Sequence, residues 1–116
     1  MATYSELNIQ QGTDFSADIT LVDDLNQPIV LDTYSIVSQM RKSYYALTAY
    51  DFTTSIIESA NGILRIAMTS EYTSNIKPGR YVFDILIYDA TTTTRVIEGI
   101  INVNPSVTKL WQLLLR

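Results

Sequence analysis

The chain contains no cysteine and no histidine. The first absence rules out disulfides and thiolate metal sites. The second removes the commonest general base and the imidazole that most protein metal sites use. Charge is also scarce. Charged residues make up 17% of the chain, against about 25% in an average soluble domain. The net charge of −4 argues against nucleic acid, which wants basic patches, and against an anionic membrane. No apolar run approaches the roughly 18 residues of a membrane span. The opening MATYSEL has neither a basic region nor an apolar stretch, so no signal peptide is expected there. No repeat or low-complexity tract is visible beyond the threonines at 91–94.

What remains is a chain suited to sheets. Its 116 residues are enough for one domain that buries roughly two-thirds of its unfolded surface. Threonine and tyrosine are prominent, and both fit pleated, half-buried surfaces. The clearest segment is 79–107. Tyr81, Phe83, Ile85 and Ile87 alternate along one strand, and Ile97, Gly99, Ile101 and Val103 alternate along the next. A polar link at 89–94 joins them. Period-two alternation on either side of such a link predicts an antiparallel hairpin with one buried face.

The same pattern recurs upstream. Leu7 and Ile9 mark a first strand, and Phe15, Ala17, Ile19 and Leu21 a second. The run Asp23–Asp24–Leu25–Asn26–Gln27–Pro28 reads as a turn, with a short third strand expected at 29–31. Ile36, Ser38 and Met40 mark another strand, as do residues 55–59 and then Leu64, Ile66 and Met68. Asn61–Gly62 carries the strongest hairpin signal, since both residues tolerate positive φ. Thr69 or Ser70 is placed to cap one helical turn, with Glu71 near its N-terminus. The expected fold class is all-β, an antiparallel sandwich of seven or eight short strands with one short helical turn. The expected organisation is a sandwich at 1–108 and an apolar C-terminal arm at 109–116.

Little in the chain points to chemistry. Asp23, Asp24 and Asn26 offer oxygen ligands, but their spacing matches no Ca²⁺ loop, and a solvated turn is expected. Glu98 lies mid-strand beside Arg95 and Arg80, where a solvent-facing or cross-strand role is expected over a catalytic one. No histidine is present to activate a serine or threonine, and no glycine-rich phosphate cradle exists. No enzyme, cofactor or metal site is expected.

Two features point to contact instead. Tyr44, Tyr45, Tyr50 and Phe52 crowd the segment 43–54, as an aromatic rim, a sugar-stacking platform or cover for the sandwich edge. Leu110, Trp111, Leu113, Leu114 and Leu115 form a terminal apolar cluster after Asn104–Pro105 has ended the last strand. That is more apolar surface than a terminus ordinarily exposes, and an assembly arm is expected.

Three segments together resemble a known family. They are LNIQQGTDFSADITLVDDLNQPIVLDTYSIVSQMRKS at 7–43, NGILRIAMTSEYTSNIKPGRYVFDILIYD at 61–89 and RVIEGIINVNPSVT at 95–108. They are similar to small tailed-bacteriophage virion proteins with an immunoglobulin-like β-sandwich, in particular the N-terminal domain of phage upper-baseplate proteins. The chain departs from that pattern at 44–54 and 109–116. The resemblance implies an immunoglobulin-like fold, no catalytic residues, a virion location in tail, neck or baseplate, and other virion proteins or copies of itself as partners. A capsid decoration protein and a carbohydrate-binding module that adsorbs to a host glycan are the alternatives.

Overall fold

The computed structural model of the chain describes residues 3–113, with the side chains of Trp111 and Leu113 outside the description. It is an all-β sandwich. The strands are β1 (Thr3–Gln10), β2 (Phe15–Thr20), β3 (Ser35–Arg41), β4 (Tyr50–Asp51), β5 (Thr53–Glu58), β6 (Ile63–Met68), β7 (Gly79–Tyr88) and β8 (Thr93–Asn104). Two single turns of helix accompany them, α1 (Ser70–Thr73) and α2 (Leu110–Leu113). One sheet runs β1-β8-β7-β3-β4 and the other β2-β6-β5.

Alternation dictates which side chains meet between the sheets. Tyr81, Phe83, Ile85 and Ile87 of β7 and Ile97, Ile101 and Val103 of β8 are buried, as their spacing predicts. Leu64, Ile66 and Met68 of β6 close over them from the other sheet, while Phe15 and Ile19 of β2 pack at its margin, half-buried. Among the described residues, the buried serine and threonine hydroxyls, Ser38 and Thr73, are each satisfied. Ser38 donates to the Asp84 carbonyl at 2.7 Å. Thr73 donates to the Thr13 carbonyl at 2.8 Å and accepts from Gly12 N–H at 3.1 Å, pinning α1 to the β1–β2 turn.

Three expectations are corrected. The sandwich is not wholly antiparallel, because β1 does not fold back on β2. It crosses to the larger sheet and pairs parallel with β8, Ser5 opposite Gly99 and Ile9 opposite Val103. The expected strand at 29–31 is irregular chain, held by a Val22–Pro28 bridge and by single backbone bonds from Ile29 N–H to the Leu21 carbonyl (3.0 Å) and from Leu31 N–H to the Ser59 carbonyl (2.9 Å). Asp23 fixes that excursion, its carboxylate accepting from the N–H groups of Leu25 (2.9 Å) and Gln27 (3.0 Å), with Asn26 at φ 63°. Asn61–Gly62 does connect β5 to β6, but only Gly62 adopts positive φ (69°), in a longer turn. Gly62 is required there. A β-carbon would stand 2.6 Å from the Leu21 carbonyl oxygen and 2.8 Å from that of Ile29.

The expected helical turn is present at α1, where Thr69 Oγ1 accepts from Tyr72 N–H. At the corner leading into β7, Tyr81 Oη donates to the Lys77 carbonyl at 2.6 Å. A tyrosine at the start of this strand bonded back to upstream backbone is the tyrosine corner of immunoglobulin-like Greek keys.

Candidate functional site

Three of the most exposed large apolar side chains, Tyr44, Tyr45 and Leu47, share one loop, residues 42–49 between β3 and β4, while the comparably exposed Val107 and Leu25 stand singly elsewhere. The stem of the loop is fixed. Tyr50 and Asp51 pair with Met40 and Gln39, and Gln39 Nε2 donates to Asp51 Oδ1 at 2.6 Å. Inside the loop, Ala46 N–H donates to the Ser43 carbonyl at 3.1 Å. Arg41 Nη1 reaches across and donates to the Ala46 carbonyl at 2.6 Å. A loop so tied has no need to expose large apolar groups, yet Tyr44, Tyr45 and Leu47 are 77%, 93% and 99% exposed.

The aromatic residues of 43–54 therefore separate into two groups. Tyr44 and Tyr45 are free at the tip. Tyr50 is half-buried, its ring edge-on to Tyr72 at 6.2 Å and Tyr81 at 5.9 Å. Phe52 is not an interface residue. It is only 6% exposed, and its ring lies 5.9 Å from Phe15 and 6.4 Å from Phe83. The chain crosses here from one sheet to the other, and the short step between β4 and β5 drops Phe52 into the core. Leu47, in the run SYYALTAY, lies outside the expected set, and no strand period there marks its face.

Two depressions flank the loop. One, of about 290 Å³, lies on the outer face of the larger sheet between Tyr44, Val82, Leu86, Asp84, Arg95 and Glu98. The other, of about 500 Å³, lies under Leu47 and is bounded by Lys42, Tyr50, Lys77 and Tyr81. Lys42 Nζ sits 5.0 Å from the centre of the Tyr81 ring, a cation–π contact. Of the expected arm, Leu110 begins α2 and is 56% exposed. The side chains of Trp111 and Leu113, and all of Leu114 and Leu115, lie outside the described residues.

The charged groups are engaged in surface structure. Arg65 pairs with Asp18 across β2 and β6 at 2.6 Å, and this holds the Asp18 carboxyl below its ordinary range. Arg95 Nε pairs with Asp84 at 3.1 Å, and its Nη1 lies 4.0 Å from Glu98. Glu98 thus points outward, as expected. Asp89 caps the β7–β8 turn, and backbone N–H groups of Thr91 and Thr92 hold its carboxyl low. Burial, then the nearby Tyr50, pushes the Tyr81 phenol up. Among the described residues no group of three or more carboxylates is placed to hold a metal ion. Among those residues no helix is long and apolar enough to cross a membrane.

No family model matches the chain, and no curated protein matches it. Solved structures similar to the chain include two bacterial proteins. InlP of Listeria monocytogenes is 16% identical with a TM-score of 0.47, over 89% of this chain and 28% of that one. A family 123 glycoside hydrolase from Clostridium perfringens that hydrolyses glycolipid glycans is 14% identical with a TM-score of 0.40, over 90% of this chain and 23% of that one. The chain thus spans about a quarter of the length of these structures. Likeness at this level carries no functional argument.

Proposed function

We propose that the chain is a non-enzymatic structural protein of a tailed-phage virion, placed in tail, neck or baseplate, that works by protein–protein assembly. The observation that carries the assembly reading is the tethered loop presenting Tyr44, Tyr45 and Leu47 to solvent. Rigid aromatic and leucine side chains on a pre-formed support lose little entropy on docking, and large apolar groups at an interface centre supply most of its energy. The virion setting rests on the resemblance of segments 7–43, 61–89 and 95–108 to phage upper-baseplate N-terminal domains. Repetition in a symmetric particle multiplies weak contacts, so a small loop and a short apolar arm suffice.

The deciding experiment places a tag on this chain and images purified tailed particles by cryo-electron microscopy. Tag density at a symmetric position on the tail, neck or baseplate is expected. Density on the capsid shell would make it a decoration protein instead. Absence from particles, together with saturable binding in a glycan titration, would replace the structural reading with a host-adsorption module.

A further inference from the structure

Charge is divided between the two ends of the sandwich. The strand register places the segments 11–14, 42–49 and 69–78 and the exit from β8 at one end, and the segments 21–34, 59–62 and 89–92 at the other. The second end carries Asp23, Asp24, Asp32, Asp89 and, at its edge, Glu58, with no lysine or arginine. The first carries Arg41, Lys42, Lys77 and Arg80, with Lys109 just past β8. Asp14, Asp51 and Glu71 stand among these cations and leave them in excess. Along the strands between, Asp18 pairs with Arg65, and Asp84 and Glu98 share Arg95, which leaves Glu6. The net charge of −4 is therefore uneven, acidic at one end with a basic excess at the other. Among the described residues no ion pair engages the charges of either end.

The basic end holds the depression of about 500 Å³ bounded by Lys42 and Lys77, with Leu47, Tyr50 and Tyr81 in its lining. Its chemistry asks for an apolar group beside a carboxylate. The acidic end of the same chain presents that pair on the turn 23–27. Leu25 is 80% exposed there, next to the exposed Asp24. The turn is pre-formed, because the Asp23 carboxylate accepts from the N–H groups of Leu25 and Gln27, so it loses little entropy on docking. Two copies that approach unlike end to unlike end meet with opposite charge, whereas two acidic ends repel. The molecule measures 51 × 29 × 25 Å, so an end presents at most roughly 700 Å², below the ~800 Å² that each partner gives a standard interface. Each contact is weak alone and gains by repetition.

We infer that the chain associates head to tail with further copies of itself. The 23–27 turn of one copy seats Leu25 in the depression of the next and sets Asp24 against Lys42 and Lys77. Such a contact is heterologous, so it continues into a row or closes into a ring. The inference rests on the assembly reading above and names a partner for the loop that carries Leu47.

The test is sedimentation velocity of the full-length protein over a concentration series, at low ionic strength and in about 1 M salt, where the screening length falls to about 3 Å. Lys77→Glu and Asp24→Lys are measured separately and mixed. Both side chains are exposed, so each variant is expected to melt as the wild type does, and the salt series reads the wild type itself. At low salt the mean mass of the wild type is expected to rise with concentration past that of a dimer, and to fall back in high salt. Each variant alone is expected to associate more than about tenfold more weakly. The equimolar mixture is expected to recover association, because the intact acidic end of one variant meets the intact basic end of the other. A wild type that stays monomeric at all concentrations overturns the inference. So does association that is indifferent to both substitutions, or sensitive to only one of them, which would mark a contact between like ends. None of these results decides whether tagged protein appears on the tail, so this reading and the structural one fail separately.

Discussion

Gly99 of β8 lies against the backbone of Ser5 in β1, and a β-carbon at Gly99 would overlap the Ser5 carbonyl. The parallel pairing of β1, which carries the fully buried Ile9, therefore depends on a missing side chain. Gly99→Ala is expected to force β1 away from β8 or shift it, at a cost of about 1–3 kcal/mol or more. That corresponds to a fall in melting temperature of at least about 5 °C for a domain this size. The amides of β1 should lose hydrogen-exchange protection first. An unchanged melting temperature would mean that β1 does not lie where this pairing puts it.

Tyr81 makes a second prediction through its bond to the Lys77 carbonyl. Tyr81→Phe keeps the ring and removes the donor, so a loss of about 1–2 kcal/mol in urea denaturation at neutral pH is expected. Burial raises the phenol pKa in the folded state. The stability linked to this group is thus fully present below the ordinary phenol value of roughly 10 and lost as pH rises through the higher folded value. The wild type should lose stability along that alkaline limb and Tyr81→Phe should lose less, with Tyr4, also raised by its bond to Glu6, leaving a residual dependence. Parallel alkaline limbs would exclude Tyr81 as the group responsible.

The core of the β7–β8 hairpin was legible because its alternation is uninterrupted. Partners are another matter. The period of Leu7 and Ile9 defines a strand, but says nothing of whether β2 or β8 receives it, and the choice is made by the space at Gly99. Phe52 was misread because it follows three tyrosines in what looks like one loop, and its contacts, Phe15 and Phe83, are remote in sequence. Leu47 escaped notice because no periodic pattern includes it. Exposure is a property of the folded surface, and sequence alone reports it only where a period fixes the face.

Asp89 sets part of the acid behaviour. The N–H groups of Thr91 and Thr92 hold its carboxyl below the usual range, so its contribution is present above roughly pH 4 and disappears as pH falls through the depressed folded value. Asp89→Ala is expected to lower the melting temperature at neutral pH and to flatten its decline below pH 4. Asp18, lowered by Arg65, keeps its own share in that variant. Melting curves from pH 2 to 7 read both. Identical acid limbs for variant and wild type would show that the turn is not held by this carboxylate.

The C-terminal segment tests the division of the chain. If residues 109–116 form an assembly arm, their deletion leaves a cooperatively folding domain with a melting temperature within about 2 °C of the full chain. Incorporation into particles should fall sharply. Unfolding or aggregation of the truncated protein would instead assign Leu110 and its neighbours to the core of their own domain.

The loop at 42–49 gives the most discriminating result, because assembly should respond while stability does not. Tyr45 and Leu47 are almost wholly exposed, so replacing both with serine removes no buried contact, and surface changes of this kind ordinarily move stability by less than about 0.5 kcal/mol. Arg41→Ala is the complementary variant. It leaves both apolar side chains in place but removes the bond to the Ala46 carbonyl, so the loop loses its support and must pay the ordering entropy on docking. The double serine variant is expected to melt as the wild type does and to be excluded from particles in a competition with wild-type protein. Arg41→Ala is expected to fall between the two, binding more weakly without a change of partner. Full incorporation of the serine variant would remove the loop from the assembly surface and leave the C-terminal arm to account for it.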